Sequence, residues 1–98
     1  MQICESMGFK TKNVDGYGGH AEFGSGRDLI GILVHLDVVP EGGGWNYNPY
    51  GGEIIDGKIY GRGTSDNKGP AVSVIYALRL LKDLNVDFKK KSTYYIWV

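Results

Sequence analysis

The stretch Asp28–Pro40, DLIGILVHLDVVP, decides how this chain folds. Its first nine residues are almost continuously apolar and rich in β-branched side chains. That composition suits a central strand buried on both faces. The strand then carries His35 and Asp37 to the edge of a glycine-rich loop, EGGGW at Glu41–Trp45. Downstream, Pro70 stands where a first helical turn tolerates proline. Ala71, Val72, Val74, Ile75, Ala77, Leu78, Leu80, Leu81 and Leu84 follow. These residues predict a long helix that is apolar on most faces and covered nearly all round. STYYIWV at 92–98 reads as a further strand of aromatic and β-branched residues. A buried strand, a helix and a second strand make the class α/β.

The flanking segments add smaller elements. Gln2–Met7 reads as the tail of a helix stopped by Gly8. FKTKNVD at 9–15 and HAEFG at 20–24 read as strands joined by the turn DGYGG, and GEIIDGKIYG at 52–61 as a hairpin turning at Asp56-Gly57. A long loop separates Asp37 from Gly52, and DLNVDFKKK at 83–91 is the exit loop of the long helix. The chain of 98 residues is long enough for one small domain. Its last strand has no turn, cap or polar tail after it, and an apolar strand of this kind needs covering on both faces. The expectation is therefore a piece of a larger protein.

Composition narrows the function. Eleven basic residues balance eleven acidic ones, which points away from a nucleic-acid or membrane-surface partner. No apolar run reaches the roughly 20 residues of a membrane span. The N-terminus does not read as a signal peptide. Cys4 is the one cysteine; it forms no internal disulfide, fits a reducing, cytoplasmic compartment, and is expected to be packed rather than catalytic. Sixteen glycines cluster in three loops without a repeat period. GYGGHA at 16–21 matches a dinucleotide-binding spacing, but it follows a polar segment and opens no helix, so that reading is rejected. Trp45, Tyr47 and Tyr50 either line a mouth or cover the hairpin, and the second fits better.

Two elements carry chemistry. In an extended strand, residues i and i+2 point to one side, so His35 and Asp37 can touch. A metal-binding histidine commonly donates its other ring N–H to a carboxylate, and this spacing supplies one. The plainer reading is a core histidine beside a loop aspartate. The second element is GRGTSDNKGP at 61–70, with Asp66 just before the long helix. The helix N-terminus and Lys68 both favour an ionised carboxylate there, able to bind one cation or bridge two. The plainer reading is a cap or turn aspartate. Both loops lie at the mouth of one βα unit, where α/β proteins place ligands. Oxygen and imidazole donors suit zinc, with manganese or cobalt as alternatives.

With these residues placed, the chain resembles the two-zinc metallopeptidase family of bacterial Xaa-His dipeptidase, succinyl-diaminopimelate desuccinylase, carboxypeptidase G and aminoacylase. The resemblance rests on GILVHLDVVPEGGGW, NPYGGEIIDGKIYGRGTSDNKGP, SMGFKTKNVDGYGGHAEFG and the helix, and the dipeptidase branch is the nearest. It implies a mixed-sheet catalytic domain, three-layered (αβα) when whole, of which residues 1–98 are the N-terminal portion. It also implies a separate lid domain. His35 matches a metal ligand, Asp37 the acid orienting it, and Asp66 the carboxylate bridging two metals, with a cis peptide after it. Asn67 replaces a second aspartate common in that branch, and Val34 a glycine. Neither change removes a ligand.

The resemblance implies a two-metal hydrolase cleaving dipeptides. A desuccinylase or carboxypeptidase-type hydrolase of N-acyl amino acids is the alternative, and a non-catalytic α/β binding module a second one. The general base and remaining ligands are expected beyond Val98, so the 98-residue chain alone is expected to be inactive. Its exposed strand edge predicts self-association.

Overall fold

The computed structural model describes residues 1–86 and the backbone of residues 91–97. In chain order its elements are helix α1 (Gln2–Ser6), strands β1 (Lys10–Val14), β2 (Gly18–Phe23) and β3 (Leu29–His35), and short strands β4 (Glu53–Ile55) and β5 (Lys58–Tyr60). An irregular turn over Thr64–Lys68, helix α2 (Gly69–Asp83) and strand β6 (Lys91–Trp97) follow. Residues 87–90 of the expected exit loop, and Val98 of the expected last strand, lie outside the described residues.

The main sheet runs β1-β2-β6-β3. β1 pairs antiparallel with β2, and β2 antiparallel with β6. β6 is parallel to β3, with Leu29 opposite Lys91 and His35 opposite Trp97. The sheet is therefore mixed, as the resemblance implied. α2 makes the crossover that a parallel pair requires. β4 and β5 form a separate two-stranded ribbon. Both hairpins turn on Asp-Gly: Asp15 and Gly16 have φ of 53° and 78°, Asp56 and Gly57 of 49° and 74°. Positive φ at both central positions is the turn whose twist matches paired strands. GYGGHA therefore lies in a β-hairpin, which agrees with rejecting a dinucleotide site.

One core holds the sheet to the helices. Cys4 and Met7 from the α1 segment, Phe9, Ala21, Val34, and Ala71 and Leu78 of α2 are buried together. Phe9 meets Phe23 edge to face at 5.9 Å. The Lys82 ammonium donates to the Met7 carbonyl and lies 5.6 Å from the Phe9 ring centroid, tying the end of α2 to the α1 segment. Cys4 is packed as expected, and burial raises its thiol pKa.

Two expectations are corrected. β3 is not central among the described strands; it ends the sheet order, and Leu33 is 67% exposed while Val34 is 6% exposed. Ile32 and Val34 turn toward the core and Leu33 away from it, as a period of two requires. Nor is α2 covered all round. Ala71 and Leu78 are buried, but Val72, Tyr76 and Leu80 are exposed. In both elements the apolar residues exceed what one packed face can use.

Candidate metal site

β3 delivers the first residue. His35 closes the strand, whose pairing with β6 fixes its position, and Asp37 follows two residues on. The turn over Thr64–Lys68 packs against β3 and leads into α2. Within it Asp66 leaves the helical path, at φ −130° and ψ 96°, and the Asp66–Asn67 peptide is cis. Two segments 31 residues apart thus meet. His35 Nε2 lies 3.1 Å from Asp66 Oδ1. His35 Nδ1 lies 3.2 Å from both the backbone carbonyl and Oδ1 of Asp37.

Both ring nitrogens therefore face oxygen acceptors. A neutral imidazole has one N–H and one lone pair, so either tautomer leaves a lone pair against an oxygen. With Nδ1–H donating to Asp37, the conflict falls between Nε2 and Asp66. Only a proton or a cation between those two atoms removes it. In the metal-free protein a proton can serve. The hydrogen bond to the Asp37 carbonyl, then that to Asp66 and the charges of both carboxylates, raise the His35 pKa; partial desolvation opposes them. A metal ion can serve instead. Two donor atoms sharing a tetrahedral ion with bonds of about 2.0 Å stand about 3.3 Å apart, so this pair fits one. Asp66 is 84% exposed, and its Oδ2 meets no protein partner among the described residues, leaving that oxygen available to a second cation.

The surroundings are more ordered than a loop of glycines suggests. The Glu41 carbonyl accepts from Trp45 Nε1 at 2.8 Å and from Arg62 Nη2 at 2.9 Å. The Arg62 guanidinium lies 5.3 Å from the Trp45 ring centroid, and the Arg62 backbone N–H donates to the Pro49 carbonyl at 2.6 Å. Tyr50 donates to Glu41 Oε2 at 2.6 Å, which lowers the Glu41 pKa and raises that of Tyr50. Tyr47 packs against Tyr60 of the hairpin, with centroids 4.3 Å apart and the rings tilted by 45°. Gly63, at φ 83°, sits against the residue after Asp37: a Cβ there would come within 2.5 Å of Val38 Cγ1 and 2.8 Å of Lys68 Nζ. Asn67 Oδ1 is buried without a hydrogen-bond donor among the described residues.

The structure brings His35, Asp37 and Asp66 together. Asp66 caps no helix; α2 begins after Lys68 without a side-chain cap. Asp66 and Lys68 form no ion pair among the described residues. No group of three or more His, Cys, Asp and Glu side chains assembles into a metal cage among those residues. The chain itself brings one imidazole and two carboxylates to this corner. Tyr47 covers the hairpin as expected, whereas Trp45 and Tyr50 serve the Glu41 loop. Reading the sequence missed Glu41 and Arg62, because a backbone carbonyl as acceptor leaves no signature in side-chain type.

Known proteins share this fold. The family model described as peptidase family M20/M25/M40 matches residues 31–98, which include both site segments. "Putative dipeptidase YtjP" of Bacillus subtilis (strain 168) is 48% identical over 91 residues, 93% of this chain and 20% of that protein. The chain thus spans about a fifth of the length of such relatives. The crystal structure of human carnosine dipeptidase 1 superposes with a TM-score of 0.82 at 30% identity, covering 98% of this chain and 24% of that one. An M20 family metallo-carboxypeptidase from Sulfolobus solfataricus, Sso-CP2, shares the fold with a TM-score of 0.80 at 24% identity, covering 98% and 23%. A metallopeptidase family implies divalent metal ions. The corner at which His35 meets Asp66 lies inside the matched segment, and the chain belongs to peptidase family M20/M25/M40.

Proposed function

We propose that this chain is the metal-holding N-terminal part of a hydrolase that cleaves the peptide bond of dipeptides. The observation that carries the proposal is the 3.1 Å approach of His35 Nε2 to Asp66 Oδ1 while Nδ1 is engaged by Asp37. His35 and Asp66 would hold the divalent ions, and Asp37 would accept a hydrogen bond from Nδ1–H and fix the ring. Imidazole and carboxylate donors favour zinc, with manganese or cobalt able to substitute. When bound, such ions polarise a carbonyl and acidify water. The chain's own residues hold the ligand geometry and leave the exposed face of Asp66 open to a small peptide. Relatives named as dipeptidases support the substrate class. A free, buried Cys4 supports a reducing, cytoplasmic setting. No described helix is long and apolar enough to cross a membrane.

The test is metal analysis with a dipeptide hydrolysis panel on the protein at its natural length. Stoichiometric divalent metal, and hydrolysis lost on chelation and restored by zinc or manganese, is expected. Hydrolysis that is indifferent to chelation would overturn the reading. The 98-residue chain alone, with two donors of a two-metal site, is expected to turn over no dipeptide.

A further inference from the structure

The loop that follows Asp37 and the loop that precedes Asp66 meet at two points. Val38, one residue past Asp37, lies against Gly63, three residues before Asp66. Glu41, four residues past Asp37, receives Arg62, four residues before Asp66. The second contact is the richer one. Arg62 donates from Nη2 to the Glu41 carbonyl, lays its guanidinium over Trp45, and anchors its own backbone N–H on Pro49. Trp45 donates to the same Glu41 carbonyl. The side chain also leaves its buried Nε without an acceptor among the described residues. A surface arginine serving only solubility would keep that nitrogen in water.

We propose that Arg62 is a positioning residue for the metal site, clamping the Asp37 loop to the Asp66 loop so that the donors keep their spacing. The inference rests on the metal reading above and goes beyond it, because Arg62 touches none of His35, Asp37 and Asp66. A planar guanidinium can lie flat on an indole and donate in its own plane to a carbonyl at once; an ammonium cannot. A misplacement of about 1 Å transmitted from outside a site can cost about a hundredfold. Outer partners of metal ligands typically cost 10–100-fold in affinity when removed.

The experiment is a chelator-competition titration of Zn²⁺ on the metal-free protein at its natural length, with the melting transition of the same metal-free samples. The variants are His35→Ala, Arg62→Met and Arg62→Lys. Arg62→Met is expected to weaken zinc binding about 10–100-fold, more than Arg62→Lys does, with the variant still folded. A merely structural Arg62 would lower the melting transition and leave zinc affinity within twofold in the folded protein, and that result overturns the clamp. Should Arg62→Met fail to fold, Arg62→Lys decides: it keeps the charge and loses the planar fork, so weaker zinc binding supports the clamp and unchanged binding overturns it. His35→Ala separates the two claims. If it leaves zinc binding intact, the metal reading fails and the clamp with it. If it removes binding while Arg62→Met does not weaken it, the clamp alone fails.

Discussion

The corner where His35 meets Asp66 and the apolar flank of β3 and α2 are both open to solvent, for opposite reasons. At the corner each ring nitrogen of His35 has an assigned oxygen, and the aspartates come from loops seated on each other through Val38 and Gly63. Exposure there is compatible with a built arrangement. On the flank, Leu29, Leu33, Val72 and Leu80 are exposed without polar partners to account for them. Exposure there marks the face of β3 turned away from the core and the face of α2 turned away from the sheet. Partners, rather than accessibility, separate a working surface from a bare one.

Substitutions can break that contrast. The largest effect is expected from His35→Ala in the protein at its natural length. It removes the strand-borne donor, and dipeptide hydrolysis should fall by about 10³-fold or more, about 4 kcal/mol of barrier. A near wild-type rate with metal still bound would place the chemistry elsewhere. Asp37→Asn comes next. The amide oxygen can still accept a hydrogen bond from Nδ1–H but carries no charge, so metal affinity should fall about 10–100-fold. An unchanged affinity would show that the Asp37 carbonyl orients the ring alone. Gly63→Ala forces a Cβ into a left-handed conformation and against Val38, and should cost about 1–3 kcal/mol in denaturant unfolding. No loss would mean that the two loops are not seated as described.

The pH response is subtler. Hydrogen bonding to the Asp37 carbonyl, then to Asp66, raises the His35 pKa above the ordinary value of about 6.5. In metal-free protein the protonated ring therefore adds stability that is complete below about pH 6.5 and is lost as pH rises through the raised folded value. Metal takes the neutral ring, so apparent affinity should climb through the same window. A proton NMR titration of the His35 ring should show a midpoint above that of the unfolded chain, returning toward it in Asp37→Asn; a midpoint at or below the unfolded one would contradict the geometry. The smallest effect belongs to the flank. In the 98-residue chain Leu33→Lys should change stability by less than about 0.5 kcal/mol, since the side chain is already in water. It should also reduce any self-association through the β3 edge in sedimentation velocity. A large stability loss would show that Leu33 is packed after all.

Much of this was legible from residue type and spacing. Asp15-Gly16 and Asp56-Gly57 announce their turns because few dipeptides accept positive φ twice, and His35 and Asp37 announce their contact because a strand has a period of two. The pairing of His35 with Asp66 was legible only as two loops at one βα mouth. The burial of β3 and α2 was over-read, because apolar composition states what an element can cover and not what covers it. The Glu41–Arg62 contact was not legible: its acceptor is a main-chain carbonyl, and EGGGW shows only glycines around a tryptophan.

The parallel pairing of β3 with β6 has a consequence for synthesis. Leu29 pairs with Lys91 and His35 with Trp97, so every residue of β3 waits for one made 62 positions later (91 minus 29). At roughly 5–20 residues per second, β3 spends about 3–12 s without that neighbour. The hairpin of β1 and β2 and the ribbon of β4 and β5 close locally within that interval, while the most apolar strand stays unpaired on the β6 side. A nascent chain paused before residue 91 holds His35 and Asp66 already synthesised, but the strand that fixes His35 has no parallel partner. Handling by ribosome-associated chaperones should therefore be heaviest between the emergence of β3 and that of β6.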